Sequence, residues 1–250
     1  MLFQVTAPTN VTTLSGKWLE HDISFTFDAS HKLWFGLGGA SLETKPSTYL
    51  LELKAETSSG KAVTYKQAIK VLRQRYPRVT LTVAGKYTAP DPEQLRLIAR
   101  DKEVKADAFK TQTATREWKG PFQAPVKAEI SDVFGVQRVF NGAVKTTHQG
   151  LDFRVPPGTP VSAINSGTVL LARPLYFEGN CIVLDHGQGL LTLYLHLSEM
   201  HVKEGEQVAK GQEIGLSGGT GRATGPHLHL AVRWQGVYLN PAGLLSLRLP

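Results

Sequence analysis

Apolar and polar residues alternate in short runs through the first 88 residues of the chain. In residues 23–27 the apolar residues Ile23, Phe25 and Phe27 alternate with polar neighbours, and residues 79–83 show the same pattern. A period of two is typical of β-strands with one buried face. Further strand-like runs cover residues 32–37, 49–55 and 62–71. A helical turn within residues 62–75 is the alternative for the last of these runs.

A helical pattern replaces the alternation between residues 91 and 110. Asp91 is a helix-capping residue, Pro92 suits the first helical position, and Gln94 completes a capping-box pattern. Apolar residues then recur three and four positions apart, as they do on one face of a helix. The pattern predicts a short helical linker within residues 89–120.

Short apolar runs separated by glycine turns return from residue 121 onward. The predicted fold class is therefore mainly β. We expect an immunoglobulin-like β-sandwich over residues 1–88, the helical linker over residues 89–120, and a C-terminal antiparallel β domain over residues 121–250. A chain of 250 residues is long enough for two such domains.

Composition and charge narrow the classes of partner. The net charge of +7 favours an acidic partner such as a nucleic acid, a membrane surface or an anionic polymer. However, the lysines and arginines are scattered and no zinc-finger spacing occurs, so we predict no nucleic-acid partner. No apolar run approaches the roughly 20 residues that span a bilayer. The N-terminal residues lack the basic and apolar regions of a signal peptide.

The single cysteine and four of the eight histidines have ordinary explanations. Cys181 excludes an internal disulfide, and its apolar neighbours favour a small buried side chain. Four histidines outside the motifs below, namely His21, His31, His186 and His201, are expected to be structural or solvated. The other four fall in three short motifs of the C-terminal half.

The first motif places a histidine and a carboxylate four residues apart, at His148 and Asp152. In an extended chain these positions lie on one face, so both side chains can reach one metal ion. The second motif is the pair His227 and His229, whose imidazoles share a strand face opposite an apolar face that begins at Leu228. Taken singly, each motif also fits ordinary surface residues.

The third motif alternates leucines with Thr192, Tyr194 and His196 over residues 191–197. Again one face is apolar, and the other carries a histidine. We therefore expect three strands of one β domain to direct His or Asp side chains away from their leucines and toward one point. Such convergence is how a catalytic zinc site with three protein ligands is built.

Taken in order, these motifs resemble those of the lysostaphin-type zinc metallopeptidases. The pattern covers about residues 134–241 and runs through Asn141-Gly142, His148-x-Gly-x-Asp152, Gly179-Asn180, Asp185-His186-Gly187, Tyr194-x-His196-Leu and Thr224-Gly-Pro-His227-Leu-His229. No position of the pattern departs from the family's. The residues before about 120 carry no such motif.

The resemblance implies a role for each motif residue. His148, Asp152 and His229 correspond to the ligands of one Zn²⁺ ion per chain. His196 and His227 correspond to the family's catalytic histidines. Spacing alone does not distinguish His227 from His229 as the ligand.

The resemblance also implies a function and a location. The expected activity is zinc-dependent hydrolysis of peptide cross-links or bridges of bacterial peptidoglycan, outside the cytoplasmic membrane in the periplasm or in a secreted, wall-associated form. D-alanyl–diaminopimelate links and glycine bridges both stay open as the bond cleaved. The alternative is a non-catalytic wall-binding or regulatory module that keeps the peptidase fold. All five motif positions are filled, which favours the enzyme.

Overall fold

The computed structural model describes residues 1–111 and 113–249. Contacts divide the chain into two compact units, one formed by Met1–Arg75 with the C-terminal residues from Leu247, and one formed by Tyr76–Ser246. Strands dominate both units, so the predicted mainly β fold class is confirmed. Neither α-helix of the described residues is long and apolar enough to cross a membrane.

Seven strands form the described part of the first unit and pair into two antiparallel sheets, as predicted for a β-sandwich. The strands are β1 (Leu2–Val5), β2 (Val11–Trp18), β3 (His21–Ser24), β4 (Thr26–Asp28), β5 (Leu33–Leu37), β6 (Ser47–Thr57) and β7 (Ala62–Val71). One sheet has the order β1-β5-β4 and the other has the order β3-β2-β6-β7. The alternative of a helical turn after residue 62 was wrong, because β7 pairs with β6 along its whole length.

The core of the first unit is built around Trp18. This side chain is fully buried, and its ring meets that of Phe3 edge-to-face with centroids 5.8 Å apart. Because Phe3 belongs to β1 and Trp18 to β2, this contact joins the two sheets. The indole N–H of Trp18 donates to the carbonyl oxygen of Gly39 at 2.9 Å, which satisfies its only polar group.

The alternation in residues 23–27 predicts a single strand, but the structure divides these residues between β3 and β4. Ile23 pairs with Gly16 in one sheet, whereas Phe27 pairs with Trp34 in the other. The chain therefore changes sheets at Phe25. Apolar and polar residues continue to alternate where the chain passes from one sheet to the other. The sequence pattern therefore does not reveal the change of sheet.

The described part of the second unit contains fourteen strands, two α-helices and a 3₁₀ turn at Gly85–Tyr87. The elements are β8 (Arg78–Leu81), α1 (Pro92–Ala108), β9 (Ile130–Asp132), β10 (Gln137–Phe140), β11 (Val144–Thr147), β12 (Leu151–Phe153), β13 (Pro160–Ser162), β14 (Gly167–Leu175), β15 (Gly179–Asp185), β16 (Leu190–Leu197), β17 (Glu199–Met200), β18 (Gln207–Val208), β19 (Glu213–Leu216), β20 (Leu228–Trp234), β21 (Val237–Leu239) and α2 (Pro241–Leu245).

Helix α1 begins with the predicted capping box. The backbone N–H of Gln94 donates to Asp91 Oδ1 at 2.8 Å, and the N–H of Asp91 donates to Gln94 Oε1 at 3.2 Å. The helix packs onto the second unit, where Val104 covers the apolar cluster of the main sheet and the backbone N–H of Tyr176 donates to the buried Asp101. The predicted linker helix is thus part of the second compact unit.

The two compact units separate between Arg75 and Tyr76, whereas the sequence places the end of the first domain near residue 88. The difference comes from β8, which the sequence pattern assigned to the N-terminal strands. In the structure, β8 pairs in parallel with β10, with Val79 opposite Arg138. Pairing between strands so far apart in sequence leaves no local signal.

One large sheet positions the candidate site. Its order is β18-β14-β15-β16-β20-β12-β9, with β21 paired to β20. The antiparallel register places Asp152 of β12 opposite His229 of β20. Residues that lie directly opposite each other share a face of the sheet, so this pairing brings two of the predicted ligands together.

Candidate active site

Three side-chain atoms converge where β12 meets β20. Asp152 Oδ1 lies 3.0 Å from His148 Nε2 and 2.7 Å from His229 Nδ1, and the two ring nitrogens are 3.0 Å apart. All three side chains are buried. Among the described residues this is the cluster whose His and carboxylate atoms lie close enough to hold one metal ion. The structure thus assembles the predicted ligand set at a single point.

His148 is held in one orientation by its second ring nitrogen. Its Nδ1 lies 2.8 Å from the carbonyl oxygen of Val133. Because a carbonyl oxygen only accepts, Nδ1 carries a proton, and in the tautomer with a single proton Nε2 is an acceptor that faces the Asp152 carboxylate. Two facing acceptors need a proton or a cation between them. A histidine oriented in this way by a carbonyl is typical of a metal ligand, so the donor set fits a divalent cation.

Arg138 contacts the predicted ligand Asp152 from outside the cluster. Its Nη2 donates to Asp152 Oδ2 at 2.5 Å, and its Nε donates to Asp132 Oδ2 at 3.0 Å. The contact occupies Asp152 Oδ2, whereas His148 and His229 contact Asp152 Oδ1. Burial raises the pKa of Asp152, but the adjacent ring nitrogens of His148 and His229 lower it by more, so the pKa lies well below its usual range. No motif or spacing in the sequence pointed to Arg138.

Leu191, Leu193 and Leu195 of β16 lie on the same face of the sheet as the cluster. Leu195 is directly opposite His229 in the register of β16 and β20. The prediction that each strand directs its leucines away from the site is confirmed for β20, where Leu228 and Leu230 are fully buried on the opposite face. The same prediction was wrong for β16. The pairing register of β16 with β20 decides which face of β16 points to the site, and alternation along the sequence does not.

His196 reaches the site through a left-handed backbone conformation, with φ of +65°. A β-bulge in the pairing of β15 with β16 accompanies it. The Nδ1 atom lies 2.8 Å from the carbonyl oxygen of Thr220, so Nδ1 carries the proton of the neutral ring. The ring centroid is 4.8 Å from that of His227 and 6.1 Å from that of His229. Burial, together with the nearby His227 and His229, lowers the pKa of His196 to about 3.

His227 lies beside the cluster and not within it. Its backbone N–H donates to Gly218 at 3.0 Å, and its Nδ1 lies 2.8 Å from the carbonyl oxygen of Gly225. Its Nε2 is 3.8 Å from Asp152 Oδ2. The geometry therefore separates the two histidines that spacing left equivalent, with His229 in the cluster and His227 alongside.

His186, a histidine outside the candidate site, belongs to the packing of the domain. Its side chain is fully buried, with Nδ1 2.6 Å from the Ser166 carbonyl oxygen and Nε2 2.8 Å from Thr192 Oγ1. Burial lowers its pKa to about 4. Cys181 is fully buried as expected, and burial raises the pKa of its thiol.

Known proteins share this half of the chain. Residues 146–241 match the sequence profile of Peptidase family M23. The peptidoglycan DD-endopeptidase ShyA of Vibrio cholerae is 45% identical over 103 residues, which cover 41% of this chain and 23% of ShyA. The DD-carboxypeptidase/endopeptidase Mpg of Neisseria meningitidis is 42% identical over 103 residues, which cover 41% of this chain and 23% of Mpg. The chain thus spans about a quarter of the length of these curated relatives.

A solved structure is similar over nearly the whole chain. It is a Pseudomonas aeruginosa protein assigned to the M23 peptidases, with 26% identity and a TM-score of 0.72, and the match covers 98% of this chain and 93% of the other. The profile match contains all five predicted site residues. Residues 146–241 thus match Peptidase family M23, which confirms the predicted resemblance of this domain to the lysostaphin-type metallopeptidases.

Proposed function

We propose that this protein is a zinc-dependent endopeptidase that hydrolyses peptide cross-links or bridges of bacterial peptidoglycan. The observation that carries the proposal is the convergence of His148 Nε2, Asp152 Oδ1 and His229 Nδ1 within 2.7–3.0 Å. The names of ShyA and Mpg, which describe peptidoglycan DD-endopeptidase and DD-carboxypeptidase/endopeptidase activities, support the choice of substrate. Such a substrate lies outside the cytoplasmic membrane, so we propose an extracytoplasmic location.

The three converging residues would hold the metal. Two imidazole nitrogens and one carboxylate oxygen form a ligand set that suits a catalytic zinc ion and leaves one position free. When bound, zinc would supply a Lewis acid and a water molecule with a pKa of about 7. Arg138 binds Asp152 Oδ2, and the carbonyl oxygen of Val133 orients the His148 ring. These contacts hold two of the three ligand side chains in position without the metal.

His196 and His227 lie beside the metal ligands, where they can transfer protons during hydrolysis. Each ring has its Nδ1 against a backbone carbonyl, of Thr220 and Gly225 respectively, so each presents Nε2 to the cleft. A neutral Nε2 accepts a proton, and the protonated ring then donates it to a leaving amine or to an oxyanion. The low pKa of His196 keeps that ring neutral before it accepts a proton. We propose these two histidines as the catalytic pair.

The contrast between His227→Ala and His229→Ala tests these roles. His229→Ala removes one of three protein ligands, so bound zinc and activity should both be lost. His227→Ala leaves the three converging atoms in place, so zinc should stay while turnover falls by roughly 10²–10⁴-fold. The measurements are zinc content of desalted protein by mass spectrometry and release of muropeptides from purified sacculi. Loss of zinc only in His227→Ala would mean that the two roles are reversed.

The same measurements separate the enzyme from a wall-binding module. An enzyme retains stoichiometric zinc and releases identifiable muropeptides. If the unaltered zinc-loaded protein binds sacculi but releases no fragments, the proposed activity is wrong and the module is correct.

A further inference from the structure

Arg222 lies in the loop that carries part of the active site. Two residues earlier, the carbonyl oxygen of Thr220 holds His196. The backbone N–H of Arg222 donates to the carbonyl oxygen of Phe177 at 2.8 Å, which fixes the loop against the start of β15. The position of Arg222 is therefore tied to that of the catalytic pair.

The side chain of Arg222 lines both hollows that meet at the candidate metal centre. One hollow, of about 360 Å³, also contains Asp152 and His227. The other, of about 340 Å³, also contains His196 and His229. A peptide whose scissile bond lies at the converging ligands would pass Arg222 within these hollows.

Two aromatic rings hold the guanidinium in place. Its central carbon lies 4.7 Å from the ring of Phe140 and 4.5 Å from the ring of Phe177. Such contacts hold a guanidinium through its faces and leave its N–H groups at the edge available for hydrogen bonds.

Every carboxylate that lines the two hollows is already paired elsewhere. Arg138 binds both Asp132 and Asp152, and Lys105 binds Glu178. Within the described chain, no carboxylate lies at salt-bridge distance from the half-buried Arg222. Burial lowers the pKa of Arg222, and the more distant Glu178 offsets only part of this effect. A half-buried cation without a counter-charge is a ready site for an anionic group of a ligand.

We infer that Arg222 binds a free carboxylate of the substrate next to the scissile amide, and so selects the peptide bond. This inference rests on the proposed function and deepens it. In a D-alanyl–diaminopimelate link, the carbon that bears the released nitrogen also bears a free carboxylate. Inside a glycine bridge, the residues that flank the scissile bond carry none. Arg222 therefore assigns the enzyme to links whose released amine belongs to an amino acid with a free carboxylate.

Two matched substrates test the assignment. One is a synthetic tetrapeptide dimer joined by a D-alanyl–diaminopimelate link, and the other is the same dimer with that single carboxylate amidated. For the unaltered zinc-loaded protein, amidation should lower kcat/KM by about 10- to 100-fold, the usual effect of losing a charge-assisted hydrogen bond. Arg222→Gln should lower kcat/KM on the free carboxylate by a similar factor and leave kcat/KM on the amidated dimer nearly unchanged.

Arg96→Gln is the matched control, because Arg96 is an exposed cation of α1 outside both hollows and its removal changes the net charge equally. Its effect should stay below about fivefold, as for a surface charge. Equal losses on both dimers in Arg222→Gln would overturn the inference, since a structural role lowers both. Equal cleavage of both dimers by the unaltered protein would overturn it without any variant. Failure of that protein to cleave either dimer or sacculi would instead overturn the proposed function, and the inference with it.

Discussion

A methyl group added at Gly150 should disable the metal centre. Gly150 lies midway between His148 and Asp152, and an ideal Cβ there would be 2.3 Å from His229 Nε2 and 2.6 Å from the carbonyl oxygen of Leu230. Contacts below 3.0 Å are essentially never seen for a real Cβ. The Leu230 backbone is fixed by its pairing with Leu151, so Gly150→Ala must displace the His229 ring or separate β12 from β20.

The size of the displacement sets the expected loss. Ordinary van der Waals contact begins at 3.4 Å, so the His229 ring must move by about 1 Å. Metal–ligand distances tolerate only about 0.2 Å. We therefore expect zinc affinity to fall by at least about 100-fold, the upper end of what is found when a residue that supports a ligand is changed. Overpacking should also lower the free energy of unfolding by about 1–3 kcal/mol.

Gly225→Ala provides the matched control. A Cβ at Gly225 meets nothing within 4 Å, and its φ lies outside the left-handed region, although its carbonyl contacts His227. Zinc affinity is measured by competition with a chelating dye, and stability by thermal unfolding of the metal-free proteins. Zinc binding by Gly150→Ala as tight as that of the unaltered protein would contradict the expected displacement of His229, and so would an equal loss of zinc in Gly225→Ala.

Three further predictions concern stability. Removing zinc with a chelator should lower Tm, because a ligand at 1,000 times its Kd stabilises the folded state by about 4 kcal/mol; an unchanged Tm would contradict tight binding. The folded-state pKa of His186 is about 4, below the ordinary 6.5, so between these values the unfolded chain binds a proton that the folded protein does not. Stability should therefore rise with pH across this window by up to about 3 kcal/mol, and His186→Gln should remove that part of the slope in denaturation curves at about pH 4.5 and 7. Fragments beginning at Tyr76 and at Trp118 should both fold and bind zinc, since all proposed ligands lie downstream. The shorter one should unfold at lower denaturant because it lacks β8 and α1, and equal midpoints would contradict this.

The sequence predicted features that depend on local pattern. The capping box of Asp91 and Gln94 fixes the start of α1 within a few residues. The alternation around His229 places Leu228 and Leu230 on the face away from the site, and the spacing of His148 and Asp152 brings both to one point. In each case, short-range geometry alone decides the outcome.

The pattern of apolar and polar residues could not predict features that depend on pairing between strands distant in sequence. The parallel partner of β8 lies some sixty residues further along the chain, so β8 read as one more strand of the N-terminal half. The crossing at Phe25 preserves alternation while the partner strand changes. Arg138 carries no motif, and only the pairing of β10 with β8 and β11 brings its side chain to Asp132 and Asp152.

His196 shows why a functional strand departs from regular alternation. Tyr194 pairs with Leu230, so regular geometry would direct His196 to the face away from His229. The left-handed φ of +65° reverses that direction. Such a conformation is unfavourable by about 1–3 kcal/mol for a residue other than glycine and needs support from its surroundings. Here the backbone N–H of His196 donates to the Glu178 carbonyl oxygen at 2.9 Å, and the ring Nδ1 donates to Thr220 at 2.8 Å. Because of this reversal, β16 supplies both the apolar wall of one hollow, through Leu193 and Leu195, and a histidine at its end. A strand in perfect alternation could supply only one of the two to that face.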